Sequence, residues 1–106
     1  MKLTKAQAIT FHSMGIWKNW TDEQIVRFQL SQQRLCVDFT RFHQAMNNVL
    51  GRPIETIEFG LSYKDLIVEY LQKSNTRFPS DEEILSMLPE EILMYNSPRL
   101  NLWTLN

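Results

Sequence analysis

The sequence predicts a mainly α-helical domain, a compact bundle of four to six short helices with minor extended segments. Three observations carry that expectation. Helix-start signatures recur along the chain, one segment has a near-ideal apolar face at spacings of three and four, and Gly or Pro follows several of these segments. The 106 residues fit one domain, residues 1–106, and a chain of this size hides roughly two-thirds of its surface on folding.

Thr4 caps a first helix that runs to Met14, with Ile9 expected to face inward. Gly15 fits the left-handed position that ends helices, and Ile16 supplies the apolar residue that comes after it. Thr21-Asp22-Glu23-Gln24 reads as a capping box, with Trp20 and Ile25 placed to form a hydrophobic staple. Behind it, Val26, Phe28 and Leu30 alternate with polar residues as in a strand. The clear cap and the absence of Gly or Pro favour a helix to about residue 34.

Asp38 opens the clearest element. Phe39, Phe42, His43, Met46, Val49 and Leu50 form one apolar stripe, Gly51 ends it, and Pro53 forbids its continuation. Residues 54–60 read as a short extended piece. Ser62 and Asp65 suggest another capping box, with Leu61 stapled to Leu66 and a buried face of Leu66, Ile67, Tyr70 and Leu71. Ser80-Asp81-Glu82-Glu83 is the third box, and Pro89 begins a brief helix over residues 90–95. Residues 100–105 read as an extended arm that docks on its own domain or pairs with a second copy.

The third helix and the residues just beyond it carry a recognisable pattern. The run Cys36-Val37-Asp38-Phe39-Thr40-Arg41-Phe42-His43, with Leu50-Gly51-Arg52-Pro53 and Thr56-Ile57-Glu58-Phe59 beyond it, resembles a family of small uncharacterised phage and prophage proteins. Met14-Gly15-Ile16-Trp17 and Asp22-Glu23-Gln24-Ile25 fit the same setting. Ile57 stands where that pattern commonly has a His, which leaves no His-Glu pair there to act as a ligand or catalyst. The resemblance implies a phage origin and brings no activity with it.

Composition narrows the chemistry. A formal net charge of −1 lacks the basic excess of a nucleic-acid binder, and a single Cys excludes an internal disulfide framework and suits a reducing cytoplasm. No apolar run is long enough for a membrane helix. His12, Cys36 and His43 are too few and too scattered for a structural zinc, and no nucleophile and base stand together, so neither a cofactor nor an enzyme is expected. Charge is uneven: residues 1–60 carry seven Lys and Arg against five Asp and Glu, residues 61–106 four against seven.

The candidate binding residues come from these features. Arg52 sits on a helix-terminating turn near Glu58, where an Arg fork recognises phosphates and carboxylates, or pairs with a neighbouring acid. Trp17 and Trp103 have no periodic partner that demands burial, and exposed Trp is a hot-spot residue. Glu82 and Glu83 lie in the acidic stretch over 81–91. The leading expectation is a phage-encoded interaction protein that binds a host protein in the host cytoplasm and inhibits a host defence system, of the anti-CRISPR kind or another. Docking of the C-terminal arm on its own domain is the favoured arrangement, and a homodimer through that arm is the alternative. The alternatives are a protein that sequesters a nucleotide signal through Arg52, Thr56 and Glu58, and a small DNA-binding regulator using Arg27, Arg34 and Arg41.

Overall fold

A computed structural model describes residues 1–94, and among them all regular structure is helical. The elements are α1 (Lys5–Met14), a 3₁₀ turn (Ile16–Asn19), α2 (Asp22–Leu30), α3 (Phe39–Leu50), α4 (Thr56–Leu61), α5 (Tyr63–Ser74), α6 (Asp81–Met87) and α7 (Glu90–Met94). The mainly helical expectation is met, with seven α-helices among the described residues rather than four to six. The arm over 100–105, Tyr95 and Trp103 lie outside the described residues.

Helix α2 packs chiefly on α3, α3 and α4 on α5, and α1 on α7. The core between them is aromatic at one end. Phe11 and Phe28 stack at 4.9 Å, and Trp20 meets both rings at 5.5 and 5.4 Å. Trp20 packs into this cluster just ahead of α2, and Thr21 and Gln24 exchange both bonds of the capping box. Thr4 and Gln7 form a second full box at α1.

Several local expectations are corrected. Helix α2 ends at Leu30, four residues early, where the Ser31 hydroxyl donates to the Phe28 carbonyl at 2.6 Å. The alternating pattern of Val26, Phe28 and Leu30 is a helix buried on most sides, since Ile25 and Gln29 are buried with them. Ile9 points outward at 58% exposure, because Gln7, Ala8 and Phe11 take the inner face of α1.

The extended piece expected over 54–59 is instead largely α4. The Glu58 carboxylate reaches back to the Glu55 amide at 2.8 Å and stabilises that start. Ser62 caps nothing with its side chain. It is the joint where α4 runs into α5, donating its amide to the Glu58 carbonyl and accepting from Leu66. Leu61 is 78% exposed and makes no staple.

Gly51 ends α3 as expected, at φ +69°, and the Lys73 ammonium closes the same helix end by donating to the Leu50 carbonyl at 2.6 Å. A Cβ at Gly51 would lie 3.0 Å from that ammonium. Gly51→Ala should therefore lower stability by about 1–2 kcal/mol, from the left-handed backbone alone. Denaturant unfolding checks this, and an unchanged midpoint would refute it.

Candidate functional site

Most of the sequence-predicted site residues are engaged inside the fold. Trp17 is buried at 3% exposure, with its indole N–H donating to the His12 carbonyl at 3.2 Å and the His12 ring 5.5 Å away. It helps close the turn after α1 and offers no surface. Arg52 is held in a fork of two acids: Nε and Nη2 bond Glu69 at 2.9 and 2.8 Å, and Nη2 reaches Glu58 at 3.0 Å. Its remaining amino group bonds Glu58 and the Pro53 carbonyl. The guanidinium holds both carboxyls below their ordinary range. Arg52 and Glu58 thus brace the α3–α4 corner against α5, and neither is free to hold a ligand.

Glu83 is likewise occupied. Its carboxylate receives Arg27 Nε and, at 2.8 Å, Nη2. Ser80 caps α6 by accepting from the Glu83 amide at 3.1 Å, but the reciprocal half of the box is absent because the Glu83 side chain has turned to Arg27. Glu82 is exposed on α6. His43 bonds the Ile54 carbonyl and packs on Phe39 and Phe59. Burial pushes the Cys36 thiol up to about 11, which makes it a poor nucleophile. Among the described residues no group of His, Cys, Asp or Glu is arranged to hold a metal ion, and no helix is long and apolar enough to cross a membrane. Arg27, Arg34 and Arg41 lie on α2, on the loop after it and on α3, and Arg41 is bound to Asp22 at 2.6 Å and to the Trp20 carbonyl.

What stays open is a surface that no sequence motif marks. The loop between α2 and α3 presents Arg34 and Leu35 as a ridge between two clefts. Leu35 is 52% exposed, whereas the next residues, Cys36 and Val37, are fully buried. Two buried glutamines fix this shape. Gln29 donates to the Arg34 carbonyl at 2.7 Å and accepts from the Cys36 amide at 2.8 Å. Gln32 accepts from Leu3 at 2.8 Å and donates to the Met1 carbonyl at 2.9 Å. The backbone on either side of Leu35 is therefore clamped, and its side chain is held out in water.

One cleft, of about 360 Å³, opens between the ridge and α1 and is lined by Lys5, Ala8, Ile9, His12, Ser13, Arg34 and Leu35. His12 on its wall bonds Asp38 at 2.8 Å, which diverts that carboxylate from capping α3. The second cleft, of about 310 Å³, has Phe39, Phe42, Phe59 and Tyr63 among its lining and shares Arg34 and Leu35 with the first. Burial there raises the Tyr63 phenol to about 12.

A family model described as a domain of unknown function, DUF7736, matches residues 23–81. The chain belongs to the DUF7736 family. The DUF7736 region runs from the first turn of α2 to the first residue of α6, so it includes the ridge, the Gln29 clamp and the aromatic cleft. It leaves out α1, and with it Lys5 and Ile9. No curated protein and no solved structure matches the chain.

Both the clamp and the Glu83 ion pair have measurable consequences. Gln29→Ala should release the ridge, which hydrogen exchange would register as lost protection of the Cys36 amide, with about 1–3 kcal/mol of lost stability. Unchanged protection would refute the clamp. The Glu83 carboxyl is held below its ordinary value of 4.5, so its contribution is complete above that pH and is lost as the pH falls through the native value. Glu83→Gln should be about 1–2 kcal/mol less stable than the parent at pH 7, a modest figure because Glu83 is 35% exposed. The two proteins should converge on acidification, and thermal melts showing a constant gap would contradict the assignment.

Proposed function

We propose that the protein works by binding another protein, and that Leu35 with its two clefts is the face that binds. The observation that supports this best is a large apolar side chain, half exposed, whose backbone is held on both sides by hydrogen bonds to the buried Gln29. An anchor fixed beforehand loses little entropy on docking. Ile9, 58% exposed across the same cleft, extends the apolar contact. The resemblance to phage and prophage proteins supplies the setting: a phage-encoded inhibitor that covers a host protein, with a component of host defence as its target. The reading is one of binding rather than catalysis.

A second reading, sequestration of a nucleotide signal, moves from Arg52 to the cleft beside α1. Arg52 is saturated by two carboxylates, whereas Lys5 and Arg34 face that cleft without a side-chain partner among the described residues.

Pull-down from host-cell lysate separates the two. The parent protein should retain one dominant host protein, and Leu35→Asp should lose it with no change in melting temperature. Retention of nothing at low salt, or equal retention by Leu35→Asp, would overturn the proposal. A purified protein that releases an ultraviolet-absorbing small molecule on denaturation would favour the second reading.

A further inference from the structure

We infer that the segment bound at this ridge is acidic, with carboxylates between apolar side chains that drop into the two clefts. The inference rests on the interaction reading above and adds the chemistry of the bound chain.

Charge carries it first. Arg27, Arg41 and Arg52 are each tied to a carboxylate within the fold, but Arg34 and Lys5 have no side-chain partner among the described residues. Among the described residues no Asp or Glu lines either cleft, and the nearby Asp38 is already taken up by His12. Covering Arg34 and Lys5 with a cationic segment would set like charges together, and a neutral one would return only weaker hydrogen bonds for the water stripped from two cations. A carboxylate restores a charge-assisted bond and fits the planar fork of Arg34 with two oxygens.

Shape carries it second. Arg34 stands on the wall common to both clefts, so a carboxylate bound to it leaves the residues on either side poised over an apolar depression. The depression beside α1 is aliphatic, through Ala8, Ile9 and Leu35, and the other is floored by Phe39 and Phe59, whose rings meet edge to face at 5.1 Å. A nucleic-acid backbone fits poorly here, since it carries a charge about every 1.7 Å and has no aliphatic anchor to offer.

The test uses a short fluorescein-labelled peptide in which leucine and phenylalanine flank a run of aspartates, and the same peptide with lysines in their place. By fluorescence anisotropy at low salt, the aspartate peptide should bind at least about tenfold more tightly, and added salt should weaken it. Arg34→Glu and Leu35→Asp should each weaken that binding by about tenfold or more. Lys64→Glu, at an exposed cation on α5, should leave it unchanged. Equal affinity for the two peptides, or no loss on Arg34→Glu, would overturn the inference. If the parent protein elutes as a dimer that Leu35→Asp converts to monomer, a second copy covers the ridge and the acidic segment is excluded. Should lysate capture be lost with Leu35→Asp while neither peptide binds, the interaction reading stands and this inference alone fails.

Discussion

The guanidinium of Arg27 is the contact on which the arrangement of the second half of the chain depends. It leaves α2 and reaches three separate places: the Glu83 carboxylate on α6, the Tyr70 hydroxyl on α5 at 3.3 Å, and Thr76 with the Arg77 carbonyl in the loop between them. Tyr70 in turn donates to Glu23, so the first turn of α2 is included. A side chain only 15% exposed would be a liability without such partners, since removing one member of a buried pair leaves a charge that water cannot reach. Here every edge of the fork is used, and the result is positional. With α6 fixed, Ile84 and Leu88 enter the core, and α7 is carried back to α1, where the Ile92 carbonyl accepts from Gln7.

The same consumption of charge recurs at each corner. Asp22 takes Arg41 at 2.6 Å and Asn48 at 2.8 Å, joining α2 to α3, and Arg52 joins the end of α3 to α4 and α5. An Arg that looks free in a sequence is thus a poor guide to a binding site in a small domain. Its fork is the cheapest way to tie helices that share too little apolar area to hold their angles alone. Arg34 and Lys5 gain significance by contrast, as cations beside exposed aliphatic carbon that have no such task among the described residues.

Part of the local grammar, where a bond closes within four residues, was legible. Thr21 with Gln24, Gly15 and Gly51 in the left-handed region, and the apolar stripe from Phe39 to Leu50 all stand where the sequence puts them. Helix α4 was missed because its box is built from Glu55 and Glu58, and Glu at the cap position is outside the usual Ser, Thr, Asp and Asn. Asp38 and Glu83 show the opposite failure, where a good local partner loses to a distant one, His12 and Arg27. Burial of Trp17 and exposure of Ile9 depend on which helix lies alongside, which periodicity cannot specify for a helix as short as α1. The ridge left no motif at all, because its clamp is made by glutamines whose sequence neighbours give no hint of their burial.

That clamp also bears on how the proposed binding face would work. A half-exposed Leu offers only about 1 kcal/mol of further burial, less than the cost of ordering the flexible loop that would otherwise carry it. Gln29 fixes the backbone on either side of Leu35 within the fold, so the burial gained on the proposed docking would not be consumed in ordering the ridge. The clamp at Gln29 lies within the DUF7736 region, as do Arg34 and the aromatic cleft, whereas Lys5 and Ile9 come from α1 ahead of it. The family domain thus supplies one cation, one apolar depression and the rigid ridge between the clefts. The flanking helix adds the second cation and the aliphatic wall, so the cleft beside α1 is built half from the family domain and half from the helix ahead of it.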